Sequence, residues 1–287
     1  MQDRLLIRQM SRAEVDTLVG WAAAEGWNPG RHDAELFWAS DRDAFIAAEF
    51  EGELVGGGAI TAYQGAFGFM GFFIVRPKFR RRGLGDRLWH ARLARLRDRL
   101  DPGATIGMDG VFDMQPYYAK GGFVLSHRDI RFRADEITPR GPADDRIVAL
   151  DTLPPGALAD LDRQCFPARR PEFLARWISQ PDALALGCLR EGVLRGYGVI
   201  RACVEGSKIG PLFAENPETA GALFDQLAAH GAGGPVFLDV PENNPAALSL
   251  VRARGMHEVF GCARMYLGPA PDITHRKIFG VTTFEFG

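Results

Sequence analysis

One stretch, residues 72–86 (FFIVRPKFRRRGLGD), limits what this chain can fold into more than any other. An apolar run ends at Pro77, an arginine-rich loop follows, and Gly83 and Gly85 open a long helical pattern. A strand running through a glycine loop into a helix N-terminus leaves backbone N–H groups and a positive dipole end facing outward, which is a seat for phosphate. It is not a P-loop, because no Gly-Lys-Ser/Thr follows. It is not a dinucleotide fingerprint either, because the third glycine is missing and the loop is arginine-rich.

The surrounding chain sets no competing demand. Its 287 residues allow one large domain or two ordinary ones. A formal net charge of −2 creates no global field for nucleic acid or an anionic membrane, so a basic site must be local. The N-terminal segment lacks a signal-peptide core, and no run of about 18 apolar residues occurs, so a cytoplasmic protein is expected. Cys165, Cys188, Cys203 and Cys262 form no Cys-x-x-Cys pair and read as reduced, buried small hydrophobes. The six histidines show no ligand spacing, so no metal is expected.

Taken in order, the chain alternates strand and helix signals. Ser11 with Glu14 is a capping box that opens a helix ending near Gly26, and a shorter helical patch covers 33–39. Residues 44–50 and 54–60 flank Glu51-Gly52-Glu53 as a hairpin. A strand over 67–75 feeds the basic loop, and Leu84, Leu88, Leu93, Leu96 and Leu100 mark the apolar stripe of a helix to about residue 100. A short strand at 105–108, a short helix through Tyr117 and Lys120, and a strand or bent hairpin over 123–132 complete the first half.

The stretch 135–145, rich in proline, glycine and charge, reads as a linker between domains at 1–137 and 142–287. Beyond it come helices at 156–164, 171–179, 218–230 and 245–254. Strands fall at 183–189, 197–202, 208–213, 236–240, 257–267 and 278–286. Both halves repeat one order of elements, and in each a short helix ends at a glycine before an apolar residue: Gly122-Phe123 and Gly255-Met256. This is the pattern of a duplication.

The spacing Arg80-x-x-Gly83-x-Gly85 behind Phe73-Ile74-Val75-x-Pro77 resembles the cofactor motif of the GNAT superfamily of N-acetyltransferases. The resemblance implies an α/β (α+β) fold with a mixed sheet, here as two tandem acyl-CoA N-acyltransferase domains. It implies that Arg80, Arg81, Arg82, Gly83, Leu84, Gly85 and Asp86 hold the pyrophosphate of acetyl-CoA, and that Phe73, Ile74 and Val75 offer backbone groups to its pantetheine arm. Tyr118-Ala119-Lys120-Gly121-Gly122-Phe123 is similar to the family's Tyr-x-Lys-x-Gly-Phe segment, whose tyrosine often protonates the departing thiolate. Tyr117 is taken as packing. A base must also remove the amine's proton. Asp109, Glu49 and Asp113 are the candidates, and the choice falls on Asp109 at a strand end.

The second half resembles the family over 242–256, but Val251 stands where the tyrosine would be. Its loop at 210–218 is acidic, has no Arg-x-x-Gly-x-Gly and carries Pro211 and Pro217, which donate no amide. A degenerate domain binding no CoA is expected, one that shapes the acceptor site. The resemblance thus implies acetyl transfer from acetyl-CoA to a primary amine of a small molecule or peptide. Asp41, Asp43, Glu49, Asp109 and Asp113 are candidates for attracting a cationic acceptor. A non-catalytic CoA-binding or sensing module is the alternative, and nucleic-acid binding ranks last because the arginines are dispersed. Oligomerisation is compatible with all of this.

Overall fold

In the computed structural model, which describes residues 5–137, 144–231 and 233–287, tight turns set the hairpins and side-chain caps open three of the helices. The first half runs β1 (Leu5–Gln9), α1 (Arg12–Ala24), α2 (Asp33–Ser40), β2 (Phe45–Phe50), β3 (Glu53–Tyr63), β4 (Phe67–Val75), α3 (Leu84–Arg97), β5 (Thr105–Val111), α4 (Gln115–Lys120) and β6 (Val124–Ala134). The second runs β7 (Ile147–Ala149), α5 (Pro155–Cys165), α6 (Pro171–Ile178), β8 (Ala183–Arg190), β9 (Val193–Ala202), β10 (Ser207–Ala214), α7 (Pro217–His230), β11 (Val236–Pro241), α8 (Pro245–Ala253), β12 (His257–Leu267) and β13 (Ile278–Gly280).

Glu51-Gly52 and Glu191-Gly192, both pairs at positive φ, turn β2 into β3 and β8 into β9 as equivalent tight hairpins. The Ser11 capping box forms as expected, with Ser11 N donating to Glu14 at 2.8 Å. Asn216 and Asn244 cap α7 and α8 ahead of prolines at the first helical position. Of the strand or bent hairpin expected over 123–132, the structure forms the strand, β6, and the expected last strand shortens to β13. Most of the expected linker, residues 138–143, lies outside the described residues.

One mixed sheet runs β1-β2-β3-β4-β5-β12-β6-β11-β10-β9-β8-β7, with β13 added on β10. The middle of this order departs from the order of the chain. β12, from the second half, pairs antiparallel with β5, and β6, from the first half, pairs antiparallel with β11. Each half therefore completes its sheet with the other's strand, and β12 and β6 pair with each other along the seam. The core under this seam is shared as well. Val15, Leu18 and Phe37 pack with Leu161, Trp177, Phe213 and Phe286, and Phe37 stacks on Phe286 at 4.1 Å. α3 lies on the opposite face, where Leu84, Leu88 and Leu96 are buried.

β4 and β5 pair in parallel only from Phe67–Thr105 to Met70–Met108. Beyond that point β4 stays with β3 and β5 with β12, so the two strands part. A bulge on β4 marks the split: Phe72 sits at φ 52, a costly conformation for an aromatic residue, and the β3 register shifts opposite it. Arg92 of α3 supports the bulge, donating to Ala59 O and Gly71 O at 2.5 Å each. The second half parts its corresponding pair in the same way, since β10 and β11 stay in register only as far as Ile209–Leu238. There the gap is filled: β13 pairs with β10 at Leu212 and Phe213, and Val281 N donates to Asp239 O at 2.9 Å.

Candidate active site

The parting of β4 and β5 opens a cavity of about 570 Å³ that runs from the glycine loop to the seam between the halves. Its outer end is the arginine-rich loop. Gly83 sits at φ 75 as the cap of α3 and Arg81 at φ 61, so the backbone turns its amides toward the cavity end. The first intrahelical bond runs from Arg87 N to Gly83 O, which leaves the amides of Leu84, Gly85 and Asp86 outside the helix ladder. Arg80, Arg81, Gly83, Gly85 and Asp86 line the cavity. Arg80 is held in place by Val75 O at 2.7 Å and by Glu25.

Arg82 and Leu84 do not line it with their side chains. The Arg82 guanidinium lies over the Phe50 and Phe79 rings, and Leu84 is buried in the core beneath α3. Phe73, Ile74 and Val75 form one wall, along the edge of β4 that β5 has left.

Tyr118 is buried against Trp89, with ring centroids 5.0 Å apart, and lines the cavity opposite that wall. Gly110 makes room for it: a Cβ there would lie 2.5 Å from the tyrosine ring. Burial pushes the phenol up to about 12, against the opposing pull of Arg92, so it stays protonated across the physiological range. Tyr117, expected only to pack, also donates its hydroxyl to Asp86 at 2.8 Å and ties α4 to the first turn of α3.

Asp109 reaches the cavity wall with its side chain fully buried and paired in a two-pronged bond with Arg264, at 2.6 and 2.7 Å. Burial raises its carboxyl to about 7, opposed by Arg264 and helped by the nearby Asp129. The other acidic candidates are engaged elsewhere or lie outside. Asp41 is paired with Arg99, Asp43 accepts from Gln9, Glu49 is paired with Arg8, and Asp113 borders a separate surface groove. The expected acidic attraction at the cavity mouth is therefore reduced to Asp109.

The inner end of the cavity is built by residues that no local pattern flagged. Phe260 and Cys262 of β12, with Phe284 and Glu285 near the C-terminus, close it together with Trp27, Met70 and Met108. Gly71 is the contact point: a Cβ there would meet Glu285 O at 1.9 Å. One signal was available in β6, where His127, Asp129, Arg131 and Arg133 alternate along a strand that buries the first three. A charged stripe turned inward demands partners from another part of the chain.

At the corresponding position of the second half, Asn216 accepts from Thr219 N and Pro217 supplies no amide. Arg146 and Arg195 there are neutralised by Glu218 and Glu215. No group of three or more metal-ligating side chains occurs among the described residues.

Comparison with known proteins agrees with this architecture. The acetyltransferase (GNAT) family model matches residues 10–123, and the acetyltransferase (GNAT) domain model matches residues 158–280. The chain belongs to the GNAT acyltransferases, with two such domains in tandem. It is 26% identical over 268 residues to a holothin acyltransferase of Pseudoalteromonas sp. (strain SANK 73390), covering 93% of this chain and 89% of that one. A candidate acetyltransferase of Pyrococcus horikoshii shares the fold at a TM-score of 0.85 and 24% identity, over 100% of this chain and 97% of that one. A tandem GNAT protein from the clavulanic acid biosynthesis pathway does so at 0.63 and 17% identity, over 93% and 99%. Among the described residues, no helix is long and apolar enough to cross a membrane.

Proposed function

We propose that the chain is an N-acetyltransferase that moves acetyl from acetyl-CoA to a primary amine of a small molecule or peptide by direct attack. The observation that carries this reading is the continuous slot from the glycine loop, along the unpaired edge of β4, to Tyr118. The loop supplies outward amides and Arg80 and Arg81, which suit a pyrophosphate. The free edge of β4 suits the amide-bearing arm, as one more strand would. A backbone N–H of Phe73, Ile74 or Val75 polarises the thioester carbonyl. Tyr118 donates a hydrogen bond and then a proton to the departing sulfur, whose basicity is raised by the same apolar surroundings that raise the phenol. Asp109 is the base.

The two domains are assigned to residues 1–137 and 142–287, the first binding acetyl-CoA and the second binding none. In the second, β13 occupies the gap that serves as the slot in the first. Its contribution is the inner wall, Phe260, Cys262, Phe284 and Glu285, against which an acceptor would rest. That wall is largely apolar, which favours acceptors with an apolar body next to the amine.

Release of free thiol from acetyl-CoA, measured over a panel of amines and peptides, tests the proposal. Turnover of at least one acceptor is expected. Tight CoA binding with no turnover across the panel would leave a CoA-binding module and reject the enzyme.

A further inference from the structure

Buried charges in the core are mostly matched, Arg131 with Asp239, Arg170 with Asp162 and Arg201 with Asp33. Asp129 is not. It is fully buried on β6, and neither carboxyl oxygen has a hydrogen-bond partner. Arg264, already committed to Asp109, stands 3.7 Å away, and His127 Nε2 stands 3.5 Å away. Two buried carboxylates thus share one guanidinium. Leaving a second negative charge here without a donor is costly, and burial together with this charge raises the Asp109 carboxyl and readies it to take up a proton.

The position of the pair gives that proton somewhere to go. Asp109, Arg264 and His127 are cross-strand neighbours on β5, β12 and β6, and Cys262 pairs with Asp129 one step along the same face. Asp109 lies on the wall of the acceptor cavity. His127 lies on a second, small cavity together with His275, and its Nδ1 is 3.0 Å from Ser126 Oγ, at an exposed residue. The two imidazoles meet edge to face, with centroids 5.3 Å apart. The groups facing the pair are Arg264, Cys262 and Tyr266 from β12, His127 from β6 and His275 from the segment before β13, while Arg131 of β6 and Asp239 of β11 act on Cys262 beside it.

We infer that Asp109, Asp129 and His127 form a proton path from the acceptor end of the cavity to the surface at Ser126 and His275, with Arg264 as its fixed counter-ion. The inference rests on the acyltransferase reading above. As the amine nitrogen bonds to the thioester carbon and the C–S bond breaks toward sulfur, the nitrogen's proton passes to Asp109. Asp109 hands a proton on to Asp129, Asp129 passes one to His127 Nε2, and His127 releases one from Nδ1 to water. Tyr118 supplies the proton on sulfur and recovers it from water, so amine and thioester become amide and thiol with protons balanced. Asp129 and His127 act through Asp109 and are positioning residues.

Two readouts on the full chain test this: carboxyl-carbon NMR titration of the aspartates, and the pH profile of kcat with an acceptor found by thiol release. In the wild type, the Asp109 carboxyl is expected to titrate with a midpoint of about 7. Asp129→Asn lowers that midpoint by more than about one pH unit and cuts kcat by about 100-fold, with KM for acetyl-CoA held within about twofold. His127→Gln, nearer the surface and gentler on the fold, keeps the midpoint but lowers kcat, and added imidazole restores part of it. Both carboxyls titrating in the ordinary aspartate range, or an active wild type whose two variants keep its kcat and pH profile, overturns the path alone. A wild type that binds CoA and acylates nothing overturns the function and the path together.

Discussion

Tyr117 and Tyr118 are adjacent in sequence, yet the fold gives them different work. Tyr118 faces the cavity, and Tyr117 fastens α4 to Asp86. Tyr118→Phe removes only the hydroxyl, so kcat should fall by roughly 10- to 100-fold with KM for acetyl-CoA unchanged, as steady-state kinetics would reveal. Tyr117→Phe should instead weaken cofactor binding through the loop. Gly83 at φ 75 has open space around it, so Gly83→Ala is penalised by backbone conformation alone. A cost of about 1–2 kcal/mol predicts a roughly 5- to 30-fold rise in the Kd for CoA by calorimetry.

Asp109 carries a sign that can be checked by pH. Its native carboxyl keeps a proton up to about 7, whereas an unfolded aspartate loses it near 3.9. Between those values the native state binds the extra proton, so this group's contribution to stability falls as pH rises from about 4 to 7 and is level above that. In Asp109→Asn, the change in Tm between pH 5 and pH 8 should shrink. These residues were only partly visible beforehand. Tyr118 sits in a short contiguous motif, whereas the partner that neutralises Asp109, Arg264, is 155 residues away with no pattern linking the two.

At the level of elements, β4 carries the function through a defect. Its bulge at Phe72 withdraws it from β5, and the buried Arg92 bridges the carbonyls exposed where the register breaks. The strand, loop and helix were legible because their signals are local: an apolar run, a proline, two glycines and a leucine stripe. The bulge was not legible, because it arises from neighbours on α3 and from the C-terminal segment pressing on Gly71. Gly71→Ala places a methyl against Glu285 O, where only backbone can give way. A loss of about 2 kcal/mol, near 5 °C in Tm by calorimetry, is expected. The apolar inner wall should shift with it, raising KM for the acceptor more than for acetyl-CoA.

Across the whole molecule, exchange of β6 and β12 makes two similar halves interdependent. Hydrophobic periodicity gave both strands their places in the chain but not in the sheet, since either could pair with β5 or β11 on pattern alone. Residues 1–137 expressed alone would leave β5 without β12 and β6 without either neighbour. Exposed strand edges of this kind pair with other chains. Size-exclusion chromatography of that fragment should show aggregates or strand-swapped dimers rather than a folded monomer.

The duplicated architecture offers two gaps of the same origin, one open at β4 and one filled by β13 at β10. Titration calorimetry of CoA into the full chain tests that asymmetry, and the acyltransferase account built on it, most directly. One molecule bound per chain is expected, with the heat lost in Gly83→Asp, which sets a carboxylate among the phosphate-facing amides. Two molecules per chain, none, or a single site indifferent to Gly83→Asp would contradict it.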